Sequence, residues 1–148
     1  MTAGITIRYA ETDADVIAIH QFLVIVAGPD LPGPIDAHDS AVGVWQSATY
    51  DVALMAMKDD KLVGTLGLCQ NSFWWNTKIR FLANRFFFTL PESHAARPLL
   101  KEGIAIAKAS NLEFHVYDER KGRLLIFNRH PARKNHNPHL DNPPQVSR

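Results

Sequence analysis

One stretch constrains this chain more than any other: Phe86-Phe-Phe-Thr-Leu-Pro91-Glu-Ser-His-Ala-Ala-Arg-Pro-Leu-Leu100, followed by Leu112-Glu-Phe-His-Val-Tyr117. It reads as strand, polar loop, helix, strand. Leu99, Leu100, Ile104 and Ala107 share one face of a helix expected over about 95–109. A strand that opens through a short polar loop into a helix aims free backbone N–H groups and a helix dipole at one spot. That spot suits an anion, typically a phosphate.

The segments before it supply a sheet and two helices. Ile5-Thr-Ile-Arg-Tyr9 alternates as a strand does. Thr12 with Asp15 three positions on has the form of a capping box, and Val16, Ile19, Phe22, Leu23 and Val26 follow at helical spacing. Gly28-Pro29 ends that helix, and a weaker one is expected over about 35–48, with Val42 and Trp45 as its apolar contacts. Residues 51–57 and 62–68 form a hairpin around the polar turn 58–61. Gly64 and Gly67 mark a bulge or a close backbone approach. A loop carrying Asn71, Ser72, Trp74, Trp75 and Asn76 then leads into a long Phe-rich strand, Ile79 to Leu90. Asp118 to His130 reads as a last helix, with Leu124, Leu125 and Phe127 apolar.

Composition sets the outer bounds. A chain of 148 residues, 46% hydrophobic and 21% charged, suits a single globular domain. We expect that domain over 1–130 and a disordered tail over 131–148, where the sequence turns polar and proline-rich. No apolar run approaches the ~20 residues of a membrane span. Met1-Thr-Ala-Gly-Ile5 lacks a basic stretch ahead of an apolar core, so the expected compartment is the cytoplasm. Residues 1–77 carry three basic and nine acidic side chains, a net of −6; residues 78–148 carry thirteen and six, a net of +7. The basic half contains the anion-suited loop, which fits an anionic ligand there. The single cysteine, Cys69, lies in an apolar strand pattern and reads as a buried thiol rather than a nucleophile. The histidines at 130, 136 and 139 lack a rigid scaffold, so no metal site is expected. No Walker loop, GxGxxG or nucleic-acid-binding motif is present.

This order of elements, with the 79–117 unit at its centre, resembles the GNAT (GCN5-related) N-acetyltransferases over roughly residues 5–130. The resemblance implies an α+β fold with a mixed, mostly antiparallel sheet flanked by helices. It implies an acyl-CoA cleft between splayed fourth and fifth strands, acetyl-CoA as cosubstrate and an amine as acceptor. The pantetheine arm would fall to Phe87, Phe88, Thr89 and Leu90, and the pyrophosphate to Ser93, His94, Ala95, Ala96 and Arg97. The reaction would be direct attack of the amine on the thioester in a ternary complex.

The chain also departs from the family. Its loop is shorter and has no glycine, although Arg97 could meet a phosphate with two hydrogen bonds. The family's fourth-helix Tyr, which protonates the departing thiolate, corresponds to Phe127, with Arg120 and Arg123 earlier on the same expected helix. Pro131-Ala132 stands where Gly-Phe is usual, and the last two strands of the family are not evident. Without them, Leu112–Tyr117 would be an open edge for a second copy of the chain to cover. Acyl transfer needs a neutral amine, donors for an oxyanion and positioning, but no covalent enzyme intermediate. Glu113 and His115 share a strand face with Tyr117, opposite Phe114 and Val116, and are the base candidates; Tyr117 is the substitute acid. No residue is assigned as catalytic. The alternative reading is a GNAT-fold remnant or a CoA-binding or interaction module without turnover.

Overall fold

The computed structural model describes residues 4–129. The expected tail and the histidines at 130, 136 and 139 lie outside them. In chain order the elements are β1 (Thr6–Tyr9), α1 (Asp13–Val26), α2 (Ala37–Tyr50), β2 (Val52–Lys58), β3 (Lys61–Phe73), β4 (Asn76–Thr89), α3 (Ala96–Ala109), β5 (Glu113–Asp118) and β6 (Arg123–Phe127).

Both early helices start where a side chain can satisfy orphan N–H groups. The Asp15 N–H donates to Thr12 Oγ1 at 3.1 Å, and the Thr12 N–H donates to Asp15 Oδ2 at 3.3 Å, completing the capping box. Arg8 on β1 clamps the same carboxylate at 2.8 and 3.2 Å, tying the first strand to the first helix. With Arg8 and two backbone N–H groups around it, Asp15 is held well below the usual carboxylate range. The Asp39 N–H donates to Asp36 Oδ1 at 2.8 Å, which starts α2.

The strands form one six-stranded sheet in chain order, antiparallel except where β4 meets β5. Alternation along β2 divides the core. Leu54 and Ala56 join Leu66, Leu68, Leu99, Phe114 and Val116 under α3, while Ala53 and Met55 join Ile19, Phe22, Val44, Phe86 and Phe88 under α1 and α2. Both expected glycine approaches are present. A Cβ on Gly67 would lie 2.1 Å from the Phe86 ring, and one on Gly64 would lie 2.9 Å from Thr89 Cγ2 and 3.0 Å from Ala95 Cβ. The register of β3 on β4 shifts beside Gly67, because Gly67 pairs with Phe86 and Leu68 with Asn84, leaving Arg85 as the bulged residue.

Three expectations change. The loop placed at 71–76 is the tip of a longer hairpin: β3 continues to Phe73 and turns through Trp74 and Trp75. Its aromatic rings hold it, Phe73 stacking on Trp75 at 4.5 Å and Phe81 on His115 at 4.2 Å. The helix expected over 118–130 is instead a turn and β6. Asp118 Oδ1 accepts the N–H groups of Arg120 and Lys121 at 3.0 and 3.2 Å, and Gly122 takes φ +61°. The chain therefore reverses, and Leu125 and Phe127 pack on the core with a period of two. Arg120 lies on the turn, and Arg123 and Phe127 lie on the strand, so none of them occupies a fourth helix. β6 pairs along β5, so the edge expected to lie open at 112–117 is covered by the chain itself.

Candidate functional site

The parallel contact between β4 and β5 is short. Phe81 pairs with Glu113, Leu82 with Phe114 and Ala83 with His115. Beyond that point no ladder joins the two strands. Asn84 spans the start of the gap: its Nδ2 donates to the Tyr117 carbonyl at 2.9 Å, and its Oδ1 accepts the Tyr117 N–H at 2.7 Å. The strands thus part as a V, with one amide side chain at the fork. The Leu90 N–H donates to the Val63 carbonyl at 2.8 Å, on the β3 side. By alternation, the N–H and C=O groups of Phe87 and Thr89 face the V.

At the open end of the V, β4 runs into the loop 90–95 and then α3. Ser93 folds the loop back, its N–H and Oγ donating to the Leu90 carbonyl at 3.2 and 2.7 Å. The Ala95 N–H donates to Ser93 Oγ at 3.3 Å. Glu92 and His94 take φ +63° and +61°, the left-handed region that a glycine would enter freely. No side chain caps α3, and no acidic residue stands in its first turn. Among the described residues, no hydrogen bond uses the N–H groups of His94, Ala96 or Arg97. Arg97 is exposed and Ala95 fully buried.

Arg120, on the β5–β6 turn, reaches across the V. Its Nη1 donates to the Thr89 carbonyl at 2.9 Å, and its Nε donates to Asp30 Oδ2 at 2.8 Å, in the connection between α1 and α2. Its guanidinium lies 5.7 Å from the centre of the Phe88 ring. On the α1/α2 side of β4 lies a cavity of about 500 Å³. Asn84, Arg85 and Phe87 border it, which places it against the fork.

Solved acetyltransferase structures have a similar overall fold. A GNAT family acetyltransferase from Brucella melitensis, in complex with acetyl-CoA, has TM-score 0.63 at 16% identity over 87% of this chain and 90% of its own. A predicted acetyltransferase with acetyl-CoA from Clostridium acetobutylicum has TM-score 0.61 at 16% identity, over 80% and 84%. The ribosomal-protein-alanine N-acetyltransferase of Brucella melitensis biovar Abortus 2308 has TM-score 0.60 at 15% identity, over 79% and 85%. This chain has the GNAT fold. No protein-family model and no curated protein matches the sequence.

Phe87 to Leu90 form the β4 margin of the V, with the Thr89 carbonyl taken by Arg120, and Ser93 to Arg97 form the loop and first turn at its end. Glu113 and His115 lie on one face of β5, with His115 Nε2 2.9 Å from Glu113 Oε1. Both are buried rather than lining an open cleft, and Phe81 stacks on the imidazole. Phe114 and Val116 face the core, as alternation requires. Tyr117 is exposed, its backbone held by Asn84. Cys69 is partly buried on β3, and burial pushes its thiol pKa up, the wrong direction for a nucleophile. Sequence reasoning missed Asn84, Arg120 and Asp30. The interruption of the apolar strand by Asn84-Arg85 was a signal for the first. The other two depend on a turn that had been read as helix.

Proposed function

We propose that this protein is an N-acyltransferase that moves the acetyl group of acetyl-CoA to an amine. The V beside the glycine-free loop carries this reading. The Phe87 and Thr89 backbone groups stand where a pantetheine arm can pair as an added strand. The unpaired N–H groups of His94, Ala96 and Arg97 at the uncapped start of α3 suit a pyrophosphate. Two of the similar structures hold acetyl-CoA.

In the reaction, the neutral amine attacks the thioester carbonyl carbon. Strand N–H groups facing the V stabilise the oxyanion, then the C–S bond breaks and CoA leaves as its thiolate. The nitrogen loses its proton to a base or to water, and the thiolate takes one. Neither proton is assigned to a side chain.

One observation favours a second reading, a GNAT-fold protein without turnover. Arg120 already occupies the Thr89 carbonyl that a pantetheine arm would use. Thiol release from acetyl-CoA across a panel of amines separates the two. Release above the rate without protein supports acyl transfer, whereas a folded protein that releases none with any amine is the inactive form.

A further inference from the structure

We infer that the cavity beside the fork binds the acyl acceptor, and that this acceptor is an amine on an apolar body with no carboxylate. The inference rests on the acyl-transfer reading and narrows it. The cavity floor is apolar and buried: Leu23, Ala27, Val44, Phe86 and Phe88 line it. A volume of about 500 Å³ is ample for an aromatic or branched aliphatic body.

Polar groups stand at its rim, and their charge is one-sided. Asp36, Asp39 and Glu119 line the cavity and are exposed. Arg85 lines the same cavity and is held toward α2 by neutral partners, its Nε donating to Ser47 Oγ at 3.1 Å and its Nη1 to Gln46 Oε1 at 3.2 Å. Arg120 is likewise engaged with Asp30 and the Thr89 carbonyl. An ammonium group entering here meets three carboxylates against one guanidinium, and a carboxylate entering meets a rim whose net negative charge Arg85 alone does not offset. A linear polyamine would satisfy the rim and leave the apolar floor wet. An apolar monoamine satisfies both. The cavity also reaches Asn84 and Phe87, so an amine held at its mouth stands beside the V where the thioester would lie.

Four probes test this by calorimetric titration, alone and with acetyl-CoA: tryptamine, tryptophan, indole-3-propionate and spermidine. Tryptamine is expected to bind at least tenfold more tightly than the other three. Glu119→Gln combined with Asp39→Asn is expected to weaken tryptamine severalfold and to narrow its advantage over tryptophan. Gly43→Leu fills the cavity from α2, where an added Cβ makes an ordinary 3.6 Å contact with Arg85 Cδ, and is expected to abolish binding while the melting transition persists. Equal or tighter binding of tryptophan, indole-3-propionate or spermidine overturns the inference, as does unchanged tryptamine binding in Gly43→Leu. Thiol release separates this from the parent reading. Turnover with spermidine but not tryptamine sinks the inference and leaves acyl transfer standing. Tight tryptamine binding without release of CoA from bound acetyl-CoA keeps the cavity assignment and sinks acyl transfer.

Discussion

Replacing Gly67 by alanine should destabilise the protein through one identifiable clash. The new methyl carbon would lie 2.1, 2.2 and 2.7 Å from three carbons of the Phe86 ring, against about 3.5–4.0 Å for a relaxed carbon contact. The ring must therefore move by more than 1 Å, on the order of the difference between those separations. It is buried among Val44, Met55 and Phe88 and borders the cavity beside α2, so it can yield only toward that cavity, giving up its contacts with those neighbours. Overpacking of this kind costs about 1–3 kcal/mol, and the severity of the overlap puts the expectation near 3 kcal/mol. For a chain of this size that lowers Tm by roughly 6–12 °C, read by circular dichroism. The cause is isolated by a double-mutant cycle. In a Phe86→Ala background the ring is absent, and Gly67→Ala should cost about 1 kcal/mol or less, a coupling of about 2 kcal/mol. A Tm change under about 2 °C for the single variant, or additive costs in the cycle, would refute the account of how β3 and β4 pack at the bulge.

Three further outcomes follow from other parts of the molecule. Asp15 has its folded pKa depressed by Arg8 and by the Glu11 and Thr12 N–H groups. Its stabilising effect is therefore complete above its unfolded pKa of about 3.9 and is lost as pH falls below that. Asp15→Asn should lower Tm at pH 7 and flatten the decline of Tm between about pH 4 and pH 2, and an unchanged acid slope would contradict the assignment. His94→Gly relieves a left-handed residue and should raise stability by about 1 kcal/mol in a denaturant titration, whereas a loss would mean that the His94 side chain contributes more than its backbone costs. Arg120→Ala removes an exposed ion pair and should cost no more than about 1 kcal/mol, while freeing the Thr89 carbonyl and tightening acetyl-CoA binding severalfold. Weaker binding would place Arg120 on the ligand instead.

Much of this fold was legible because local signals agreed with long-range packing. Thr12 and Asp15 announced a helix start, residues 58–61 a hairpin turn, and Gly64 and Gly67 two close approaches, all of which the structure contains. The stretch 118–130 was misread because Leu124, Leu125 and Phe127 satisfy a helical face as well as a strand. What decides between them is a turn in which the Asp118 side chain accepts the Arg120 and Lys121 N–H groups and its carbonyl accepts the Gly122 N–H, together with the open margin of β5 waiting for a partner, and the second of these is not local. The loop 91–95 was correctly placed between strand and helix, but its glycine-like backbone at Glu92 and His94 is imposed by the contacts of Ser93 and Ala95. The cavity was invisible in the sequence because its floor comes from α1, α2 and β4 and its acidic rim from the start of α2 and the distant turn between β5 and β6.

The central claim is that the V and the loop at its end hold acetyl-CoA. Titration calorimetry of the purified protein with acetyl-CoA tests it directly, with AMP and pantetheine as fragments and Ala96→Trp as the blocked site. The account predicts one molecule bound per chain, more tightly than either fragment, and loss of that binding in a folded Ala96→Trp variant. Heat no greater than that of the fragments in a cooperatively folded sample, or equal binding by Ala96→Trp, would contradict it.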